Sequence, residues 1–195
     1  MIYLIIILAV LSRFIPHLPN FAPITAIAMF SAYYLGWKQA VGLTLAIRFI
    51  SDVFLGFVAW PMMVAIYLSH LVGVLFGVWV KNSSHPPLWK RGGVTVSSPS
   101  LAKEGVGGVV WLKVFVSSLG ASIIFFLVTN FAFLYSNYSH NLSGIIESYI
   151  NGLPFLLRGT LLGDMFYSVA LFGGLALVKK YQLSTIKSQN LEHRA

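Results

Sequence analysis

Apolar residues run along this chain in long blocks, and polar, proline and glycine residues gather at the breaks between them. The blocks at about 2–14, 22–36, 39–58, 61–80, 108–133 and 154–178 predict six helices. A helix needs about 20 predominantly apolar residues to cross a bilayer. The last four blocks reach that length and the first two fall short of it. Two short segments on either side of a broken turn are the sequence form of a discontinuous, site-forming region. Residues 134–141, Leu-Tyr-Ser-Asn-Tyr-Ser-His-Asn, read as an interfacial stretch. Leu142, Ile145, Ile146, Tyr149, Ile150 and Leu153 then recur at helical spacing. They predict a short amphipathic helix lying on the membrane surface or over a pocket, with Pro154 opening the sixth helix.

The break between the first two blocks is the most unusual. Arg13, Pro16, His17, Pro19, Asn20 and Pro23 stand together there. Each proline removes a backbone donor and restricts the residue before it, so no regular helix runs through Pro16–Pro23. Irregular backbone at membrane depth is tolerated only where protein buries it or where it lines a cavity. Two readings follow: a polar cap or re-entrant turn over a pocket between helices, or an ordinary extramembrane loop followed by a proline-initiated helix.

Composition fixes the class. The chain is 57% hydrophobic and 9% charged, against about 25% charged in soluble domains. So few charges cannot solubilise a globule of this size. The fold class expected is all-α, a polytopic membrane helical bundle; long unalternating runs argue against an outer-membrane barrel. Met1–Leu11 has no basic leader and no convincing cleavage site, so it reads as a retained helix. With no cysteine there is no disulfide, thiol nucleophile or thiolate metal site.

The net charge of +8 is distributed as a topology signal rather than a nucleic-acid footprint. With six spans, Lys38, Lys81, Lys90, Arg91, Lys103, Lys179, Lys180, Lys187 and Arg194 all fall on one side, and the other side holds Arg13. The positive-inside rule then places both termini in the cytoplasm, with the lipid bilayer as first partner. The expected organisation is one transmembrane domain over 1–180 and a polar cytoplasmic tail over 181–195. Residues 81–107 form an inserted cytoplasmic loop in which Pro86-x-Leu88-x-Lys90-x-Gly92 recurs as Pro99-x-Leu101-x-Lys103-x-Gly105.

Four ionisable residues fall at membrane depth: Arg48, Asp52, Arg158 and Asp164. Each costs at least about 2.5–3.5 kcal/mol at the bilayer centre unless paired or wetted. At a rise of about 1.5 Å per residue, Asp52 and Arg158 share one depth, and Arg48 and Asp164 share a deeper one. Antiparallel helices then allow the pairs Arg48–Asp164 and Arg158–Asp52, while Arg48 and Asp52 also stand at i,i+4. The pairs either hold the bundle together or leave Arg158 facing an outer cavity, where its planar fork suits an anionic group. Candidate pocket residues are Arg13, His17, Asn20, Asn130, Tyr149 and Arg158.

For catalysis the chain has no persuasive Ser–His, Ser–Lys or paired-carboxylate spacing and no glycine-rich phosphate loop, so neither an enzyme nor a cofactor is expected. His17, His70 and His140 are scattered, so no metal site is expected; His70 reads as a hydrogen-bonded core histidine. Without a Walker motif, any ATP-driven transport needs a partner.

Two blocks carry a resemblance. One is Arg13-Phe-Ile-Pro-His-Leu-Pro-Asn-Phe-Ala-Pro-Ile-Thr-Ala-Ile-Ala-Met-Phe30 with Ser51-Asp52; the other is Thr129-Asn130-Phe131 with Leu153-Pro154-Phe155 and Gly163-Asp164. Together they resemble an uncharacterised family of bacterial six-helix integral membrane proteins. That family is similar in size and topology to the substrate-binding S components of energy-coupling factor (ECF) vitamin transporters. The resemblance implies an outward pocket capped by the loop between helices 1 and 2, a small-molecule solute, and an ATPase-containing transport module as partner. The small-residue docking motif of those components has no counterpart here, since Ala9 is the only alanine in helix 1. The expectation is a membrane protein that binds a small solute at its outer face as a transporter component. The alternative is a structural or assembly protein in which the same polar residues are helix glue.

Overall fold

A helix that is apolar or small on every side has to sit inside other helices. Ile24–Tyr34, α2, is such a helix, and every residue from Ile24 to Tyr33 is buried in the computed structural model. The structure describes residues 2–12, 19–84 and 108–192. Arg13, His17 and most of the expected 81–107 loop, with its repeat, lie outside the described residues. Around α2 stand α1 (Ile2–Ser12), α3 (Trp37–Leu55), α4 (Trp60–Ser84), α5 (Gly108–Thr129) and a rod made of α6 (Leu142–Phe155) and α7 (Leu161–Glu192). Among the described residues the chain is all-α, in six helical rods and without a strand.

Close packing on α2 comes from missing side chains. A Cβ on Gly77 would stand 2.2 Å from the Met29 carbonyl, and one on Gly73 would stand 2.9 Å from the Thr25 carbonyl. Gly73-x-x-x-Gly77 thus lays α4 against the backbone of α2 beside Ala28 and Ala32, the small-residue packing of membrane helices. On α5 the buried face is also small and polar: Ser117, Ser118, Ala121 and Ser122. Glycines in the positive-φ region, Gly36 and Gly56 (both +98°), turn the chain after α2 and after α3.

Among the described residues, three helical runs are long and apolar enough to cross a membrane: Trp60–Ser83, Val110–Thr129 and Leu142–Gln182. The apolar helix Ile24–Tyr34 is shorter.

The last run differs from the sequence expectation. Pro154 does not open a helix; it sits inside α6. The backbone widens directly after it into a π-turn, Leu156–Thr160, and continues into α7. A proline removes one i→i−4 bond, and a local π adjustment absorbs the mismatch without ending the helix. Nor do Lys179 and Lys180 end α7, which continues to Glu192 where a polar tail was expected. Residues 179–192 contain neither glycine nor proline, so nothing local stops the helix.

Candidate functional site: a cavity at the end of the bundle

The C-terminal end of α5 organises the site. The last four carbonyls of a helix have no intrahelical donor. Here three of them are answered by side chains. Asn130 Nδ2 donates to the Phe126 carbonyl (3.0 Å), Tyr149 Oη to Leu127 (2.7 Å) and Tyr135 Oη to Thr129 (2.7 Å). The segment 130–141 is thereby folded back over the helix end. Asn141 then caps α6, its Oδ1 accepting from the Gly144 N–H at 3.0 Å.

Between this end of α5, the first turns of α4, α6 and the Pro19–Asn20 turn lies a cavity of about 350 Å3. Met62, Ile66, Phe125 and Phe155 supply apolar wall. Polar groups come from Asn20, Thr129, Asn130, Tyr135, Tyr138, Ser148 and Asn151. Ser148, Asn151, Gly152 and Phe155 follow one face of α6 at i, i+3, i+4 and i+7, opposite the apolar stripe read from sequence.

Glycines bring the walls together. A Cβ on Gly152 would stand 2.1 Å from Asn130 Oδ1. On Gly159, in the π-turn, it would stand 2.0 Å from the Pro19 carbonyl, and on Gly163 it would stand 3.0 Å from Phe21 Cα. The 19–21 turn is therefore seated on a glycine face of the α6–α7 rod. Asn20 holds φ at +63°, a left-handed conformation that asparagine adopts more readily than most residues. Its carboxamide makes no hydrogen bond to the described residues.

The sequence-derived site residues separate in the structure. Asn20 and Asn130 line the cavity together. Tyr149 stands outside the lining, its hydroxyl on the Leu127 carbonyl and its ring 5.6 Å from Phe126. Arg158 is exposed on the π-turn and absent from the lining. Among the described residues no charged side chain lines the cavity. Burial, then the neighbouring Tyr138 phenol, raises the pKa of the Tyr135 hydroxyl, so this wall stays neutral at physiological pH.

The expected ion pairs are corrected in the same way. Arg48 does not meet Asp164. It forks onto Asp52 of its own helix, with Nε 2.9 Å from Oδ2 and Nη2 2.9 Å from Oδ1. Tyr67 Oη donates to the same carboxylate at 2.9 Å. Arg158 makes no ion pair with Asp52. Equal depth fixes height but not direction around the bundle, and α2 packs against both α3 and α7.

Asp164 instead accepts from the Ser122 hydroxyl at 2.7 Å. Thr25 Oγ1 is 3.2 Å from His70 Nδ1. His70 stacks on Phe125 with ring centroids 5.1 Å apart. Phe125 also lines the cavity, so this buried layer lies directly beneath it.

Sequence reasoning missed Ser148, Asn151 and Gly152, although their common helical face was readable from spacing. It also missed Gly73-x-x-x-Gly77, which is a direct sequence signal. Among the described residues the lining contains no carboxylate, imidazole, amine or thiol. Its chemistry is hydrogen bonding and apolar contact.

No curated protein and no solved structure matches the chain. The sequence model of a family of unknown function, DUF6580, matches residues 1–186, and the chain belongs to that family.

Proposed function

We propose that the protein is a multi-pass inner-membrane protein that binds a small solute in the cavity at the α5–α6 end, as a substrate-binding component of a transporter. The observation that carries this reading is the cavity itself. Its volume of about 350 Å3 falls within the range of ligand pockets, about 300–1,000 Å3, and it combines apolar wall with a few convergent polar groups. The lysine and arginine distribution supports an outward-facing cavity, with both termini in the cytoplasm. An S-component-like role, with an ATPase-containing module as partner, rests on the sequence resemblance. Fold-level likeness of that kind leaves function to the site.

The second reading is a structural or assembly protein. It is favoured by one observation: several cavity side chains also cap α5.

Native mass spectrometry of the full chain, released gently from membranes, separates the two. The expected result is a bound small molecule of fixed mass on the wild type. It should be lost in Ser148→Phe, which fills the cavity from the α6 face. A wild type that carries no adduct, or an adduct that survives the filled cavity, overturns the binding reading.

A further inference from the structure

A second hollow lies on the flank of the bundle, between α5 and α7. Where these two helices meet, the touching residues are small. Ser168 Oγ lies 3.5 Å from Ser118 Oγ, both residues being buried. A Cβ on Gly173 would stand 3.4 Å from the Trp111 ring. Small residues let the helix backbones approach. Larger side chains rise on either side, Trp111 and Phe115 from α5 and Met165 and Val169 from α7. The result is a groove of about 370 Å3 with the two serines at its floor. Phe115 and Val169 are exposed on its banks. Both helices belong to runs long and apolar enough to cross a membrane, so in a bilayer the groove opens towards lipid tails.

A cation stands in line with the groove. Lys180 follows Val169 by eleven residues, three turns of the unbroken α7, and so falls on the same face. It is exposed. The rise between the two is about 16 Å, and one leaflet of hydrocarbon, half of the core, is about 15 Å deep. A lipid whose phosphate sits at Lys180 therefore has a tail long enough to reach the groove floor. Trp111, level with Gly173 between these depths, is of the residue type that collects at membrane interfaces.

We infer that the α5–α7 groove binds an anionic phospholipid, its tail along the groove and its phosphate on the Lys180 ammonium. By the distribution of lysine and arginine this is a lipid of the cytoplasmic leaflet, whose negative surface attracts basic side chains. The site is separate from the solute cavity and does not depend on it.

Tryptophan quenching tests the inference. The full chain is reconstituted in phosphatidylcholine vesicles. Phosphatidylglycerol with brominated tails, or phosphatidylcholine with the same tails, is then introduced in increasing proportion. The chain has five tryptophans, so the Trp111 signal is taken as the difference between wild type and Trp111→Phe. Half-quenching should need about fivefold less of the glycerol lipid than of the choline lipid, the effect of about one lysine charge at the surface. Lys180→Gln should remove that preference and Lys180→Arg should keep it. Val169→Phe, which fills the groove, should weaken quenching by the glycerol lipid. Should Trp111→Phe fail to insert, total quenching of wild type against Lys180→Gln decides. Equal quenching by the two lipids would mean bulk lipid contact alone, and no quenching of Trp111 by either would mean that protein covers the groove. Each of these results overturns the inference, as does a preference that survives Lys180→Gln.

Discussion

The cavity and the layer beneath it use the same kinds of side chain to opposite ends. In the lower layer, Ser122, Asp164, Thr25 and His70 are all buried, and each bonds another side chain of the layer. Arg48, Asp52 and Tyr67 form a second bonded group on α3 and α4. In the cavity, the Thr129 and Ser148 hydroxyls are held by helix carbonyls, and the Asn20 carboxamide has no hydrogen bond among the described residues. The difference teaches that polarity at membrane depth does not by itself mark a site. Groups whose bonds close on one another hold helices together, and groups that keep an open valence can hold a solute.

Breaking the closed groups should cost most. Arg48→Ala leaves the Asp52 carboxylate buried with Tyr67 but without its charge partner, a loss of about 3–5 kcal/mol. The double change Arg48→Met with Asp52→Leu should cost less than the single one. Reversible unfolding in mixed detergent micelles measures both, and a single-variant loss no larger than that of an exposed residue would show that the pair is not structural. Ser122→Ala comes next. It removes the hydroxyl donor from Asp164 and should destabilise by about 1–3 kcal/mol; no change would show that this bond does not hold the layer together. At the boundary between the two regions, Gly152→Ala pushes against Asn130 Oδ1. Displacing that side chain from the Phe126 carbonyl should cost about 1 kcal/mol. A stabilised variant would show that Asn130 is free to move. Smallest is Asn151→Ala, within about 0.5 kcal/mol of wild type, yet it should weaken retention of the bound solute seen by native mass spectrometry. A large loss of stability there would move Asn151 from the open region to the closed one.

Much of this was legible in the sequence, with a physical limit. Apolar blocks marked the helices because length and hydropathy survive projection onto one dimension. Asn20 and Asn130 were brought to the same cavity by the broken turn and by the end of α5. Pairing across the bundle was not legible, because residue counting gives height and says nothing of direction around the axis. Arg48 accordingly found Asp52 on its own helix, and Asp164 found the Ser122 hydroxyl in place of an arginine. Pro154 misled because proline is a strong stop signal that a π-turn can accommodate. Tyr149 fell on the expected helix but points its hydroxyl at the end of α5 rather than into the cavity.

The most direct test uses the chain's lack of cysteine, which makes any introduced thiol the sole target. Asn151→Cys, in the cavity, and Ser122→Cys, in the buried layer, are expressed separately and treated in intact cells with a membrane-impermeant maleimide. The expected result is labelling of Asn151→Cys from outside, and no labelling of Ser122→Cys until the protein is denatured. An Asn151→Cys thiol reached only after the cytoplasmic side is opened, or a Ser122→Cys thiol labelled as readily in the native state, would contradict an open outer cavity above a closed polar layer.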